Sequence, residues 1–204
     1  MARDDERTQR AREEPLVGGL PDFPGIGAAI NLTPALGVHL RGLADELLVD
    51  DFPDSTISRP EREMLAAAVS AANDCFYCMD SHGAFATALL TADDEHHRIP
   101  LVETIKIGAS DGFDGKMRAL LHIARTVAAR PRELSHQDVA AAKDAGAADG
   151  DVQLAVLIAA AFSMYNRMVE GLRARTPAST EAYAGRAAEI AANGYSPGRV
   201  APVR

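Results

Sequence analysis

The period of its apolar residues constrains this chain more than any other feature. Wherever the sequence is regular, apolar side chains recur every three or four residues. Alanine is abundant in those stretches, and alternating β-branched runs are absent. That pattern predicts helices and no sheet. "TPALGVHLRGLADELLV" offers Thr33 as a cap and Pro34 in the first turn, with Leu36, Leu40, Leu43, Leu47 and Leu48 on a shared face. "SRPEREMLAAAVSAA" opens with Ser58 before Pro60, and Glu61 and Glu63 lie near the positive end of the helix dipole. Asn73 and Asp74 then supply a stop and a fresh cap, so a new helix is expected from Cys75 to Leu90. A short helix is expected at 99–109. "GKMRALLHIARTVAARP" follows, closed by Pro131, and "LSHQDVAAAKDAG" runs from a Ser135 cap to Gly146. "DGDVQLAVLIAAAFSMYNRMVEGL" is apolar nearly all round in its first half, which suits the centre of a fold or a subunit interface. "ASTEAYAGRAAEIAANG" makes a last helix ended by Gly194. The expected architecture is one all-α domain.

Its expected limits are residues 16–193. Residues 1–15 read as a mobile, highly charged arm, and 194–204 as a loose tail. "PLVGGLPDFPGIG" should run as extended coil over the body. A length of 204 residues with 47% hydrophobic and 25% charged residues is globular. A net charge of −8 argues against nucleic acid or an anionic membrane as a partner, since both need a basic patch. The charged N-terminus has no apolar core of a secretory signal, and no uninterrupted apolar run approaches the roughly 18 residues of a spanning helix. The expected compartment is the cytoplasm. There, a close cysteine pair serves catalysis or metal binding more often than a structural disulfide.

Cys75 and Cys78, the only two cysteines, stand in "NDCFYCMDSH" with His82 four residues beyond the second. Three readings compete. A zinc site needs four ligands; His82 makes a third, and His96 or His97 would have to be a fourth, with no second CxxC or HxxxH to complete the set. Two small buried thiols in a core is another. The third is redox chemistry. On a helix, residues 75, 78 and 82 form one stripe. A cap at Asn73 or Asp74 would put Cys75 in the first turn, where amides and dipole favour a thiolate. His82 could carry its proton near neutral pH. Geometry favours the redox reading. Glu63, twelve residues before Cys75, could fold back over the cysteines through a helical hairpin, or merely complement its own helix dipole; the sequence leaves both open.

The pattern of Glu63, Cys75, Cys78 and His82 in "EREMLAAAVSAANDCFYCMDSH" resembles the carboxymuconolactone decarboxylase / AhpD-like superfamily, in particular its uncharacterised peroxidase-related branch. The similarity runs from about Pro34 to Leu172 and takes in Asn166 and Arg167. The resemblance implies an all-α AhpD-like helical bundle that forms homo-oligomers, as dimers, trimers or hexamers. It implies a thiol-dependent peroxidase in which Cys78 attacks a hydroperoxide. Cys75 protonates the leaving group or resolves the sulfenic acid, and His82 and Glu63 relay protons. The partners implied are a hydroperoxide and an external dithiol reductant, lipoyl-bearing in the classical relative. Alkyl hydroperoxidase D has histidine just before the second cysteine, where this chain has Tyr77. A phenol titrates near pH 10 and is a poor base at neutrality, so Tyr77 is expected to place a water or to pack.

Two other functions stay in view: a non-enzymatic redox-responsive scaffold, and a lactone decarboxylase like the family's namesake, which does not rely on a CxxC. No cofactor or metal is expected. The low aromatic content without tryptophan disfavours a haem or flavin pocket, and no dinucleotide or P-loop motif occurs. His39, His122 and His136 read as surface or packing residues, "DDEHHR" as a solvated turn, Arg167 as a helix-packing ion pair, and Met64, Met79 and Met117 as core filler.

Overall fold

The structure, a computed structural model, describes residues 2–198. Among the described residues there are ten α-helices, three 3-10 turns and no strand. The helices are α1 (Ala2–Arg10), α2 (Ile26–Leu32), α3 (Pro34–Leu48), α4 (Arg59–Ala72), α5 (Phe76–Ala92), α6 (Ile99–Lys106), α7 (Gly115–Ala129), α8 (His136–Asp144), α9 (Asp149–Leu172) and α10 (Ala184–Asn193).

Local chemistry sets most of these boundaries. Pro34 opens α3. Asp114 caps α7 by accepting the Met117 N–H at 2.7 Å. Ser135 and Asp138 form a capping box on α8. At the start of α4, Glu61 accepts the Ser58 backbone N–H at 2.9 Å and the Ser58 hydroxyl at 2.7 Å. Asp151, buried in the first turn of α9, accepts the Ala148 N–H at 3.0 Å and the Thr56 N–H at 2.7 Å, and pairs with Lys116 at 2.7 Å. Burial alone would raise the Asp151 carboxyl, but the Lys116 ammonium and these amides overcome it and hold it at about 2.

The core lies where α4, α5, α7 and α9 meet. Met64 to Ser70 of α4 are fully buried, and their alanines let neighbouring helices approach closely. Leu154, Ile158, Phe162, Tyr165 and Val169 of α9 face inward. Helix α9 is long and apolar enough, by length and composition, to cross a bilayer. In the sequence, polar residues break it into apolar stretches shorter than a spanning segment needs. Here one face of it packs on α4 and α7, a central position, while Leu157 and Met164 stay exposed; its sequence suits either the centre of a fold or a subunit interface.

Several expectations need adjustment. Leu40, Leu47 and Leu48 are buried, but Leu36 and Leu43 are exposed, because α3 lies at the edge and meets α4 and α9 along one stripe. Helix α6 ends at Lys106 rather than 109, followed by an exposed Ile107 and by Gly108 at a φ of 82°. Where a mobile arm is expected over 1–15, the structure has helix α1, and Arg7 and Arg10 pair with Asp80 and Glu170. The run looks solvated in sequence because those partners are 73 and 160 residues away. In the tail expected at 194–204, Tyr195 packs on the core; residues 199–204 lie outside the described residues.

The turn between α4 and α5 positions the cysteines. Asp74 adopts the left-handed conformation, with φ 54°. The Asp74 N–H bonds the Ala71 carbonyl at 3.3 Å and the Cys75 N–H bonds the Ser70 carbonyl at 3.0 Å. These two bonds are the Schellman ending of a helix. Cys75 is both the last residue of that motif and the N-cap of α5. Asn73 braces the turn from its side chain, donating to Asn166 Oδ1 at 2.9 Å, while Asn166 donates to Ser70 Oγ at 3.0 Å.

Candidate active site

The three residues of "ERE" in α4 have three different jobs. Glu61 caps the helix. Arg62, 1% exposed, donates from Nε to the Ile57 carbonyl at 2.9 Å and so ties down the preceding loop. Glu63, fully buried, points the other way, with Oε2 2.6 Å from His82 Nδ1. The ambiguity over Glu63 is thereby resolved: dipole complementation falls to Glu61, and Glu63 faces α5. A carboxylate that accepts from Nδ1–H fixes the neutral imidazole as the tautomer whose Nε2 lone pair is available. The His82 ring is held edge-to-face by Phe162 at 4.5 Å and Phe85 at 5.2 Å between centroids.

Cys75 caps α5 instead of sitting inside its first turn, so Cys78 takes that place. The first-turn amides and the positive end of the helix dipole lie at that turn. Cys78 and His82, four residues apart on one helix face, both line a cavity of about 780 Å³. Cys75 lies behind them, fully buried among Cys78, Val169 and Ala174. Burial pushes the Cys75 thiol well up, and its hydrogen bond with Cys78 and the charge there push it further. The two thiols are therefore inequivalent: one opens on the cavity, and the other is a protonated neighbour behind it. Both are free thiols.

Tyr77 forms a wall of the same cavity. Its ring stacks edge-to-face on Tyr183 at 5.6 Å. Burial moves its phenol further up, away from use as a base at neutral pH. Gly25 makes this packing possible. It has φ 52°, and a Cβ there would lie 2.1 Å from the Tyr77 ring. The Tyr183 hydroxyl, also on the cavity, is buried with no hydrogen-bond partner among the described residues.

Sequence reasoning missed three participants. Tyr195 donates to Glu63 Oε1 at 2.7 Å. Asp80, buried on α5, takes a bidentate contact from Arg7 at 2.8 and 3.3 Å and has Lys106 at 3.6 Å. The cavity walls come largely from residues 23–31 and 177–198. No periodicity connects such distant residues; the one available signal was a lone tyrosine directly after the helix-ending Gly194. Residues proposed for other roles stay apart. His96 and His97 lie on an exposed 3-10 turn, His122 bonds Asp138 at 2.9 Å, and Arg167 donates to the Ser163 carbonyl of its own helix at 2.8 Å. No group of three or more His, Cys, Asp or Glu side chains among the described residues is arranged to hold a metal ion.

Residues 39–126, which hold Glu63, both cysteines and His82, match the model of the carboxymuconolactone decarboxylase family. The central part of the chain thus resembles that family. Two solved structures share its fold. An uncharacterized peroxidase-related protein from Silicibacter sp. TM1040 superposes with a TM-score of 0.65 at 24% identity, covering 86% of this chain and 94% of that one. An AhpD-core, uncharacterized peroxidase-related protein from Ralstonia eutropha JMP134 superposes with a TM-score of 0.66 at 22% identity, covering 92% and 90%. No curated protein matches the sequence. The matched segment thus contains Glu63, both cysteines and His82, while most of the cavity wall lies outside it.

Proposed function

We propose that the protein is a thiol-dependent peroxidase that reduces hydroperoxides through Cys78 and Cys75. The observation that carries this reading is the shared cavity of Cys78 and His82, with His82 tied to Glu63 at 2.6 Å. A cysteine and a base on one face, with the base oriented by a carboxylate, is the arrangement of an activated nucleophile.

The steps balance. His82 Nε2 takes the Cys78 proton, directly or through a water, and Glu63 stabilises the resulting imidazolium. The Cys78 thiolate attacks the terminal peroxide oxygen. An S–O bond forms, the O–O bond breaks, and Cys78 is oxidised to sulfenic acid while the hydroperoxide is reduced to alcohol. The departing alkoxide takes a proton from the imidazolium or from the Cys75 thiol. Cys75 sulfur then displaces hydroxide from the sulfenic acid, which leaves a Cys75–Cys78 disulfide and water. An external dithiol reduces the disulfide by exchange and is itself oxidised; a lipoyl-type dithiol is the class proposed. Self-association belongs to the same proposal, since Leu157 and Met164 leave an apolar stripe exposed on α9.

Peroxide consumption by the purified protein with excess dihydrolipoamide, beside Cys78→Ser and Cys75→Ser, tests this. Sustained turnover that disappears in Cys78→Ser is expected. Consumption that stops at about one peroxide per site, with fresh dithiol present, sinks the catalytic reading and favours an oxidant-responsive protein.

A further inference from the structure

We infer that Tyr195 is a positioning residue of this site: the segment after α10 carries its phenol to the free oxygen of Glu63 and so sets the carboxylate that orients His82. The inference rests on the thiol-peroxidase reading above and adds to it a residue outside the family segment.

Glu63 is fully buried and has two ordered donors, one on each oxygen: His82 Nδ1 on Oε2 and Tyr195 Oη on Oε1 at 2.7 Å. A buried carboxylate needs such partners to remain ionised. With both oxygens engaged, the carboxylate cannot rotate away from the imidazole. Tyr195 also stands 3.5 Å from His82 Nδ1, with its ring at 23° to the imidazole plane. Its placement is built in. Asp45 of α3, itself buried, accepts the Tyr195 N–H at 2.7 Å and the Ser196 N–H at 3.0 Å. Gly194, at φ 75°, lets the chain turn off α10 into that clamp.

The phenol also tempers the relay. By donating to Glu63 it shares negative charge that would otherwise fall wholly on the His82 proton. The charged and titratable groups around the three side chains include Cys78 on α5, Arg41 and Asp45 on α3, Arg59 on α4, and Arg186 and Glu189 on α10; both Arg59 and Arg186 act on the phenol. Burial, and then the Glu63 charge, hold the Tyr195 hydroxyl protonated, so it stays a donor across the working range.

The test is Tyr195→Phe in the full chain. Phe keeps the ring, and Asp45 still clamps the backbone, so a packing role is rescued. Two readouts separate the possibilities. In the resting protein, the proton NMR signal of His82 Nδ1–H, assigned by its loss in Glu63→Gln, is expected to move further downfield as Glu63 turns its whole charge toward it. In turnover, kcat is expected to fall about tenfold with KM little changed. The acid limb of the rate profile is expected to move to higher pH, because imidazolium is then held more tightly. An unmoved resonance and unmoved acid limb in Tyr195→Phe overturn the inference. If the wild-type protein turns over no peroxide, the functional reading fails, and the resonance alone decides whether Tyr195 positions the pair.

Discussion

His82 Nδ1 and Glu63 Oε2 lie 2.6 Å apart, both buried, on two helices joined by a single tight turn. The carboxylate has no role in the α4 cap, so its loss should be felt in chemistry first. Glu63→Gln is expected to lower peroxide turnover about a hundredfold, within the usual range for a lost proton-transfer partner. Steady-state rates across pH check this. Turnover within twofold of wild type would remove Glu63 from the mechanism.

The inequivalence of the thiols predicts where oxidation stops. In Cys75→Ser, one equivalent of hydroperoxide should leave Cys78 as a sulfenic acid that dimedone traps, because its resolving partner is gone. In Cys78→Ser, no adduct should form at the buried Cys75. Mass spectrometry of the peptide carrying residues 75 and 78 distinguishes the two. Equal labelling of both variants would contradict the assignment of roles.

Gly25 is constrained twice, by its positive φ and by the Tyr77 ring against its α-carbon. Gly25→Ala should cost at least about 1 kcal/mol from the backbone alone. It should also push Tyr77 out of the cavity wall. Urea unfolding measures the first effect, and the KM for a bulky hydroperoxide the second. Unchanged values for both would mean that segment 23–31 is free to retreat.

Asp151 gives the fold an acid limit. Its folded value of about 2 lies below the ordinary 3.8. The stability this adds is fully present above pH 3.8 and is lost as pH falls through 2; it amounts to about 2 kcal/mol. Asp151→Asn should therefore unfold more easily than wild type at pH 7, with the difference shrinking between pH 4 and pH 2. A constant difference across that range would show that the carboxylate's charge is not what matters.

What the sequence made legible was whatever depends on near neighbours. Helix period, caps at Ser58 and Ser135, and the stripe of Cys78 and His82 all follow from spacings of three or four residues. Glu63 was ambiguous because a hairpin's closing angle depends on the turn, and that turn depends on Asp74 adopting a conformation more usual for glycine. Cys75 sat one position earlier than expected for the same reason: the Schellman bond to Ser70 occupies its N–H. Tyr195, Asp80 and Arg7 were out of reach. Each earns its role from a partner more than seventy residues away, and a solitary tyrosine or arginine carries no periodic signal.

Every group assigned to react lies between Glu63 and His82, on one hairpin, whereas the walls around them are drawn largely from residues 23–31 and 177–198. Reactivity and selectivity are thus written largely in separate parts of the chain. Apart from Gly25, which packs on Tyr77, and Tyr195, which reaches Glu63, substitutions near either end can alter which molecules are admitted while leaving the hairpin in place.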